Sequence, residues 1–463
     1  MTAQITNTSL ENSKEERLFK LQEKIFSDYL KKTPNSFKLF EVAKKVMPGG
    51  VSGNLRYFEP HPLYMKSGQG SRVYDVDDNE YIDCFSANGP LLLGHNYPAI
   101  VDAVESIKNY GSLPLNPPIM VECAELIKQI IPCAEKVRFL NTGTEAVMTA
   151  VRYARAYTGK TKIIKFHGHY HGQNDEFLFG IDTTANMFSD GIPKNAISSM
   201  LIHVYNNIES VKRSLEEEDD IAAIILDPAM HSGGLWGSNK CYLEELRNLT
   251  KKHEVLLIFD EVITGFRMAL GGAQEYFGVT PDLVTLAKAL AAGEKLAVVA
   301  GIEDVMNVVD PQNQLGTFGV FQSGTMNDGS VALASAIAAM KTYIKLDDQG
   351  EYKRLFKLTE RLKTGIIDAF RKRAIGCQVN QVASMLQILI SGEKLNFEKT
   401  QDLNMAGVQL LYHALIIEGT LLSLPTSNHI YLSFAHSDED IDQILENIET
   451  VFGRYNLESA LKN

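Results

Sequence analysis

The stretch VLLIFDE, residues 255–261, decides the fold of this chain. Five apolar residues in a row lead into Asp260 and Glu261, which is typical of a strand that is buried on both faces and delivers polar side chains at its carboxyl end. Carboxylates at such a strand end serve either a magnesium ion beside a phosphate loop or a protonated nitrogen of an organic cofactor. The rest of the sequence has to decide between these two uses.

Composition indicates an ordinary globular protein with more than one domain. The chain has 463 residues, of which 45% are hydrophobic and 22% are charged, and single cores stop growing near ~250 to 300 residues. A net charge of −12 predicts a surface that repels nucleic acid phosphates. The longest weakly polar run, residues 330–340, is far shorter than the ~20 apolar residues of a membrane-spanning helix. We therefore expect no nucleic acid and no membrane as partners.

The cysteines and the N-terminus both bear on cellular location. The cysteines are odd in number and form no CxxC pair, so they fit reduced thiols better than a disulfide frame or a zinc site and predict a cytoplasmic protein. They are Cys84, Cys123, Cys133, Cys241 and Cys377. The segment SKEERLFKLQEKIFSDYL (13–30) has apolar residues at helical spacing, which predicts an amphipathic helix and not a secretory signal. These apolar residues are Leu18, Leu21, Ile25 and Tyr29.

Three segments are predicted along the chain. Residues 1–84 combine the N-terminal helix with short strands between Gly and Pro turns, and form an arm that is part of a smaller domain. From 85 to 335, apolar strand-like runs alternate with helix-like ones, which predicts a large α/β domain with a mostly parallel sheet. Residues 336–463 have long helices around short strands, including HIYLSF (429–434), and predict a small α+β domain.

The strand-like runs of the large domain locate its site. They are KVRFL (136–140), TKIIKF (161–166), AAIILD (222–227), VLLIFDE (255–261) and DLVTLAK (282–288). Because ligands of open parallel sheets bind beyond the carboxyl ends of the strands, residues at the ends of these runs are the candidates for the site.

A magnesium site at Asp260 would require a phosphate loop of the form G-x-x-x-x-G-K-[ST]. The nearest stretch, ARAYTGKT (154–161), has Ala154 in place of the first glycine. It also follows a helix pattern, whereas a phosphate loop follows a strand. The sequence therefore disfavours a nucleotide-hydrolysing enzyme and predicts no metal site.

A different phosphate cradle is predicted where a strand ends and a helix begins, in FLNTGTEAVMTAVRYARAY (139–157). Thr142 and Glu145 have the spacing of a capping box, and Gly143 lets the backbone approach an anion closely. Unpaired N–H groups and the helix dipole favour a phosphate at such a helix start. The alternative is an ordinary helix cap without a ligand.

Lys288 ends an otherwise apolar strand-like run and follows Asp260 by 28 residues. Burial of a charged lysine is costly, so its pKa is expected to fall and its amine to become available as a nucleophile. The alternative is an exposed lysine at a strand edge.

Pyridoxal 5′-phosphate requires these three parts together: a lysine that binds it covalently, a carboxylate that keeps its ring nitrogen protonated, and a phosphate socket. Asp260 is the candidate carboxylate. A flat ring also needs packing on both faces, and we expect Tyr170 on one face and Val262 on the other. His169 or His171 could contact the cofactor instead, although a structural role is the commoner one for such histidines.

Eight blocks, in order along the chain, resemble one known family. They are MPGGVSGNLRYF (47–58), GSRVYDVDDNEYIDC (70–84), GPLLLGHNYP (89–98), NTGTEAVMTAVRYARAYTG (141–159), KFHGHYHG (165–172), LIFDEVITGFRMALGGAQEYFGVTPDLVTLAK (257–288), FQSGTM (321–326) and LSFAHSDEDID (432–442). The family is the class III pyridoxal-phosphate aminotransferases, and within it the chain most resembles the branch that contains glutamate-1-semialdehyde aminomutase. The resemblance runs from about residue 40 to the C-terminus.

The resemblance implies a homodimer of fold type I with active sites shared between subunits. It implies that the cofactor is bonded to Lys288, that its ring nitrogen faces Asp260, and that Tyr170 and Val262 pack on the ring. The phosphate is then held by Thr142, Gly143 and Thr144, together with a threonine of the neighbouring subunit that corresponds to Thr325. The resemblance also implies that Arg56 binds a substrate carboxylate. The alternative is that Arg56 is a solvated arginine in a loop.

Departures from the branch concern the substrate more than the cofactor. Asp227 stands where the branch has glutamate, Asn428 stands where the aminomutases carry a glutamate, and ALAAGEKLAVVAG (289–301) replaces a glycine-rich loop. The resulting hypothesis is an aminotransferase that moves an amino group between a small-molecule amino donor and a carbonyl acceptor. The alternatives are an aminomutase or an amino-acid racemase with the same cofactor. Asn88, His231 and Asn428 are left without assigned roles.

Overall fold

A computed structural model of the chain describes residues 2–111, 115–181, 189–313, 319–396, 403 and 405–462, with the backbone alone for 2–15 and 313. The helices of the described part are α1 (Thr2–Lys32), α2 (Pro34–Ala43), α3 (Pro98–Ile107), α4 (Ile119–Ile130), α5 (Gly143–Thr158), α6 (Ile208–Glu217), α7 (Lys240–Lys252), α8 (Gly272–Phe277), α9 (Glu303–Met306), α10 (Ser330–Asp348), α11 (Glu351–Arg371), α12 (Met405–Ile417), α13 (Asp438–Tyr455) and α14 (Glu458–Leu461). The strands are β1 (Met65–Gln69), β2 (Arg72–Asp75), β3 (Glu80–Asp83), β4 (Lys136–Leu140), β5 (Lys162–Phe166), β6 (Met200–His203), β7 (Ile221–Leu226), β8 (Leu256–Glu261), β9 (Leu283–Leu286), β10 (Ala297–Gly301), β11 (Cys377–Val382), β12 (Met385–Ile390), β13 (Thr420–Leu421) and β14 (Ile430–Tyr431).

The chain forms two compact units, which we call the terminal unit and the central unit. The terminal unit comprises Met1–Asn88, Gly94–Asn96 and Arg354–Asn463, and the central unit comprises Gly89–Leu93 and Tyr97–Lys353. Both chain ends contribute to the terminal unit, and the strands β4 to β10 all belong to the central unit.

The central unit is built on a seven-stranded sheet with the order β4-β10-β9-β8-β7-β5-β6. Neighbouring strands are parallel, except that β10 runs antiparallel to both β4 and β9. This arrangement confirms the predicted α/β class with a mostly parallel mixed sheet. Four of the strands, β4, β5, β8 and β9, lie within strand-like runs of the sequence, and β7 begins one residue before the run AAIILD.

Continuous apolar sequence explains why the middle strands occupy the middle of the sheet. Every residue of β7 and of β8 is buried, which requires cover on both faces of the sheet. The Ala-rich helix α5 provides part of this cover, because its small residues Ala146, Ala150 and Ala154 are fully buried in the hydrophobic core. Small side chains allow the helix to approach the strands closely.

Parallel strands end at the same edge of a sheet, and this edge collects the polar residues that the sequence singled out. Thr142 follows β4, Tyr170 follows β5, and Asp227 follows β7. Asp260 is the next-to-last residue of β8, and Lys288 comes two residues after β9. The topology therefore places five candidates, from five separate segments, at one edge.

The terminal unit contains two smaller sheets, with the orders β1-β2-β3-β13 and β11-β12-β14. The predicted amphipathic helix is confirmed by α1, whose Leu21, Ile25 and Tyr29 are buried. The predicted strand HIYLSF is shorter than expected, because only Ile430–Tyr431 pairs as β14. All five cysteines are unpaired thiols, of which three are buried. Among the helices that the structure describes, none is long and apolar enough to cross a membrane.

Candidate active site

The two adjacent carboxylates of β8 have different partners. Successive side chains of a strand point to opposite faces of the sheet, so Asp260 and Glu261 cannot serve the same group. Glu261 accepts hydrogen bonds from the backbone N–H groups of Ala273 (2.5 Å) and Gln274 (3.3 Å) at the start of α8. Burial raises the pKa of Glu261 to about 7. Glu261 therefore caps a helix, and Asp260 is the carboxylate that remains for the site.

Three donors from three segments orient the Asp260 carboxylate. Oδ2 accepts a hydrogen bond from Nδ1 of His171 at 2.7 Å. Oδ1 accepts from Oγ1 of Thr285 at 3.0 Å and from the backbone N–H of Val262 at 3.2 Å. Asp260 and His171 are both buried, and these bonds compensate part of the cost of burying a charged carboxylate.

His171 is a site residue that the sequence left undecided between a structural and a functional role. Its pKa is lowered by burial, so the ring is neutral and carries its proton on Nδ1, where the Asp260 carboxylate accepts it. Its Nε2 is buried and has no hydrogen-bond partner among the described residues. The sequence feature that could have indicated this role is the position of His171 shortly after β5, since the end of β5 lies at the same sheet edge as the end of β8.

His169 has different neighbours, although it is only two residues from His171. Its Nδ1 lies 3.2 Å from the carbonyl oxygen of His167, and its Nε2 lies 3.0 Å from the carbonyl oxygen of Asp227. Burial lowers the pKa of His169 to about 3, so it remains neutral. His169 therefore connects two loops of the sheet edge and has the structural role that the sequence favoured.

The predicted capping box at the start of α5 is present in full. The backbone N–H of Glu145 donates to Oγ1 of Thr142 at 3.2 Å, and the Glu145 carboxylate accepts from the N–H of Thr142 at 2.9 Å. The N–H groups of Gly143 and Thr144 follow this cap, and the first turn of a helix has no intrahelical acceptors for its N–H groups. A helix start with this geometry favours an anion.

Two glycines let neighbouring segments approach this helix start. A Cβ at Gly143 would lie 3.0 Å from both Cγ atoms of Val262, and a Cβ at Gly172 would lie 2.6 Å from Oγ1 of Thr144. Gly172 also has a φ of +92°, which L side chains rarely adopt. The structure therefore brings Val262, the segment after His171 and the start of α5 into direct contact, as a shared site requires.

Lys288 has an unusual backbone and an altered acidity. Its φ is +47°, in the left-handed region, which costs a residue other than glycine about 1 kcal/mol or more. Burial lowers its pKa to about 8, while the negative charges of Asp260 and Asp227 oppose this shift and the charge of Arg267 adds to it. The amine is therefore partly neutral near neutral pH and can act as a nucleophile or accept a proton.

Asp227 is a second buried carboxylate of the sheet edge. Its Oδ1 accepts from the N–H of Ala229 at 3.0 Å, and its Oδ2 accepts from the N–H of His231 at 3.4 Å. Burial raises the pKa of Asp227 to about 7, and the charge of Asp260 acts in the same direction. The shorter side chain that distinguishes this chain from its branch is thus held by its own loop.

Three other candidates belong to the central unit. Tyr170 is half-exposed, and Thr325 is exposed in a turn that ends at Asn327. Oδ1 of Asn327 accepts from Nδ2 of Asn141 at 2.9 Å, so this turn lies beside the start of α5. His231 is buried next to Asp227. These positions are compatible with the predicted roles of Tyr170 and Thr325 and leave the role of His231 open.

The remaining candidates belong to the terminal unit. Arg56 is exposed, and its Nη1 donates to Oγ of Ser52 at 2.9 Å. Asn88 has a φ of +69°, and its Oδ1 accepts from Oη of Tyr431 at 3.1 Å. Asn428 is buried, and its amide group is bonded at both ends. Its Nδ2 donates to the carbonyl oxygen of Ile388 at 2.7 Å, and its Oδ1 accepts from Oη of Tyr412.

Comparison with known sequences gives these residues a context. A family profile described as aminotransferase class-III matches residues 56–452. The chain is similar to the glutamate-1-semialdehyde 2,1-aminomutase of Archaeoglobus fulgidus, with 37% identity over 420 residues, which are 90% of this chain and 98% of that protein. The match therefore covers nearly the full length of both proteins.

Solved structures have the same fold. An omega-transaminase from Sphaerobacter thermophilus matches with a TM-score of 0.84 and 29% identity, over 91% of this chain and 98% of that chain. A structure described as a transaminase with PLP bound matches with a TM-score of 0.83 and 30% identity, also over 91% of this chain and 98% of that chain. The two compact units therefore occur together in proteins of related sequence.

Proposed function

The chain belongs to the class III aminotransferase family, and from this premise we propose that it moves an amino group on a substrate that carries a carboxylate. Its fold is that of the fold type I pyridoxal-phosphate enzymes, and pyridoxal 5′-phosphate is its cofactor. The observation that carries the proposal is the meeting of Asp260 with His171, beside Lys288 and the start of α5, at one sheet edge.

The residues at this edge fit the cofactor. The start of α5 offers N–H groups and a favourable dipole to the phosphate, and Gly143 and Gly172 allow Val262 and the segment after His171 to approach this helix start closely. Asp260 supplies the carboxylate for the ring nitrogen. Lys288, with a pKa of about 8, supplies the amine for the aldehyde. Each part of the cofactor therefore has a counterpart of suitable chemistry.

When bound, pyridoxal phosphate supplies an aldehyde that bonds to amines and a protonated ring that stabilises negative charge on the neighbouring carbon. The Asp260 carboxylate keeps the ring nitrogen protonated. His171 holds this carboxylate in place through Nδ1 and, because it is neutral, does not compensate the charge of Asp260. Tyr170 and Val262 would pack against the ring and restrict its orientation.

Lys288 carries the proton transfers of the proposal. With cofactor and substrate bound, the neutral Nζ amine of Lys288 would be the group that accepts the proton from the substrate Cα and holds it for return to the substrate. Arg56 binds the substrate carboxylate in a bidentate manner, which sets the orientation of the Cα–H bond. Without a neutral Lys288 amine, the transfer would lack its base.

The first candidate reaction is an intramolecular one, in which the amino group moves between neighbouring carbons of one substrate. The support is the near full-length match, at 37% identity, to a protein named glutamate-1-semialdehyde 2,1-aminomutase. An enzyme of this kind turns over one substrate and needs no separate acceptor.

The second candidate is transfer between two molecules, from an amino donor to a carbonyl acceptor. Asn428 stands where the resemblance expects the glutamate of the aminomutases, and both ends of its amide are engaged by Ile388 and Tyr412. An asparagine in this state offers no acid–base group. Solved relatives with 29% and 30% identity are described as transaminases, which also supports this candidate.

One experiment separates the two candidates. The holoenzyme is first assayed with a single substrate that has an amino group next to an aldehyde and also carries a carboxylate. It is then assayed with panels of amino donors together with keto acids, aldehydes and ketones. Turnover of the single substrate supports the intramolecular reaction, whereas turnover that requires both a donor and an acceptor supports the aminotransferase. Absence of any absorbance change of the bound cofactor with every amine tested would contradict both.

We also propose a homodimer in a reducing cytoplasm. The exposed Thr325 would complete the phosphate socket of the neighbouring subunit, and the five unpaired cysteines fit a reducing compartment. Substitution Thr325→Ala should weaken cofactor binding about tenfold without altering the molecular mass in solution, because one hydrogen bond to a charged phosphate is lost. Sedimentation of a monomer with full cofactor affinity would contradict the shared socket.

A further inference from the structure

The turn that carries Lys288 is strained at two positions. Lys288 has a φ of +47°, and Ala292, which ends the turn Lys288–Ala291, also has a φ of +47°. Residues with a Cβ avoid this left-handed conformation, so contacts from the surroundings have to hold it. The sequence does not relieve the strain, since position 292 is an alanine. A glycine would adopt this conformation without strain.

Two buried hydroxyl groups of α10 hold this turn. Oη of Tyr343 donates to the carbonyl oxygen of Ala289 at 2.8 Å, and Oγ of Ser335 donates to the carbonyl oxygen of Ala291 at 2.8 Å. Both side chains are fully buried, so they are out of reach of a ligand. The two bonds attach the middle and the end of the turn to one long helix.

Tyr343 also connects the Lys288 turn with the segment that follows Asp260. Its ring stacks on the ring of Phe266, with a centroid distance of 5.5 Å and an interplanar angle of 28°. Phe266 itself has a φ of +60°, and its carbonyl oxygen accepts from Oη of Tyr352 at 2.6 Å. Two strained segments, one after β8 and one after β9, therefore both contact Tyr343.

We propose that Tyr343 and Ser335 are positioning residues that fix the amine of Lys288 with respect to Asp260. The proposal rests on the proposed role of Lys288 as the residue that bonds to the cofactor. Because the two hydroxyls act on the backbone of the turn, their removal should loosen the geometry of the lysine without removing any group that touches the substrate. Small errors in the placement of a reacting group reduce rates strongly.

The test uses the holoenzyme and the variants Tyr343→Phe and Ser335→Ala. The matched control is Tyr29→Phe, a buried tyrosine of the terminal unit that likewise donates to a backbone carbonyl, that of His61, at 2.9 Å. Reduction with borohydride followed by peptide mass analysis first identifies the lysine that is bonded to the cofactor. Hydroxylamine is then added to unreduced enzyme, and the loss of the absorbance of the lysine-linked cofactor is followed.

Hydroxylamine adds to the carbon of the C=N bond, the lysine leaves as a free amine, and the cofactor departs as an oxime. A lysine held in place competes with the reagent, because it re-forms its bond at a high effective concentration. We expect the displacement to become about tenfold faster in Tyr343→Phe and about threefold faster in Ser335→Ala, since the lysine then rebinds less efficiently. Tyr29→Phe should remain within about twofold of the wild type.

Each outcome has a distinct meaning. Displacement at the wild-type rate in Tyr343→Phe and Ser335→Ala, with melting temperatures lowered as in Tyr29→Phe, overturns the positioning role. If Tyr343→Phe does not fold, Ser335→Ala decides the question by the same rate. Labelling of a lysine other than Lys288 in the wild type overturns the proposed function itself, and the positioning role falls with it.

Discussion

The sheet edge of the central unit and the terminal unit position their candidate functional side chains in different ways. At the sheet edge, Asp260, Lys288 and Thr142 each stand at a strand end, so the topology alone collects them. In the terminal unit, Arg56 lies on an exposed turn and Asn428 is held by residues distant in sequence. The cofactor groups therefore depend on the fold as a whole, whereas Arg56, the group proposed for the substrate, depends on a loop that can change separately.

The two regions differ in how many segments a substitution disturbs. A change at the sheet edge affects a place where five segments meet. Loop residues such as Arg56 or Asn428 can be exchanged without moving a strand. The departures of this chain from its branch include Asn428 in the terminal unit and Asp227 at the sheet edge, whereas Asp260 and Lys288 are in place. Substitutions in the two regions should accordingly differ in size and in kind.

The largest effect is expected at the sheet edge itself. Asp260→Asn should reduce kcat/KM by about 10² to 10³, because the group that holds the ring proton becomes neutral. The matched variant is Glu261→Gln, one residue away, which should change kcat/KM by less than about threefold and lower the melting temperature, because it caps α8 and serves no reacting group. Steady-state kinetics and thermal unfolding of both variants provide the measurement.

Equal losses of kcat/KM in Asp260→Asn and Glu261→Gln would contradict the separate assignment of the two carboxylates. The two carboxylates at the end of β8 would then act as one acidic site. A loss confined to Asp260→Asn, with a changed absorbance of the bound cofactor, supports separate roles for Asp260 and Glu261.

The second effect concerns Asp227, also at the sheet edge, and depends on pH. Burial raises the pKa of its carboxyl to about 7 in the folded chain, compared with an ordinary value of 3.8. Between these two values the folded state binds more protons than the unfolded state, so this group makes the wild type less stable as pH rises. Asp227→Asn does not titrate. The stability of the variant relative to the wild type should therefore increase by about 3 kcal/mol from pH 5 to pH 8.

Urea unfolding of the cofactor-free protein at the two pH values measures this difference, since bound cofactor would add its own stabilisation. A stability difference that is the same at pH 5 and at pH 8 would show that Asp227 is charged in the folded protein. The site would then have two negative carboxylates beside Lys288, and the amine would be more basic than proposed.

Much of the fold and the cofactor site could be predicted from the sequence, for a physical reason. Buried parallel strands require continuous apolar runs, and a polar residue that ends such a run is expected at the carboxyl edge of the sheet. Asp260, Lys288 and the capping box of Thr142 were found in this way. The boundary predicted at residue 335 shows the limit of the method, because it falls inside the continuous helix α10.

Pairings between distant segments could not be predicted. The bond between His171 and Asp260 joins residues that are 89 positions apart, and that between Tyr343 and Ala289 joins residues 54 apart. A run such as KFHGHYHG shows several histidines but not which of them faces a carboxylate. Left-handed backbone at Lys288 was equally hidden, because lysine does not favour it. The cofactor roles proposed for the residues at the sheet edge stay predictions, as do the roles proposed for Arg56, Thr325 and Tyr170.

The third effect tests the loop region. Arg56→Ala should raise KM for a carboxylate-bearing substrate by about 30-fold and leave kcat within about threefold, because a charge-assisted contact contributes roughly 2 kcal/mol to binding. Arg56→Lys is the matched control and should recover only part of the loss, since lysine cannot bind a carboxylate in a bidentate manner. Kinetics with an amine that lacks a carboxylate provide the second arm. An equal rise in KM for that amine would contradict the assignment.

The smallest effect is expected at Asn428. Alanine at this position would leave the carbonyl oxygen of Ile388 and the hydroxyl of Tyr412 without their present partner, which should lower the free energy of unfolding by about 1.5 kcal/mol. KM for every substrate should remain within about twofold, because both ends of the amide already bind inside the terminal unit. The control is Tyr412→Phe, which removes the same hydrogen bond from the other side. A double variant should therefore lose less stability than the two single losses added together.

A rise in KM in Asn428→Ala that exceeds the rise in Tyr412→Phe would place Asn428 among the substrate contacts. The terminal unit would then bind substrate through a buried side chain as well as through a surface loop. In that case the exchange of a glutamate for Asn428 would bear directly on which of the two candidate reactions the enzyme carries out. The same pair of variants, assayed with one substrate and with two, would show which reaction depends on this position.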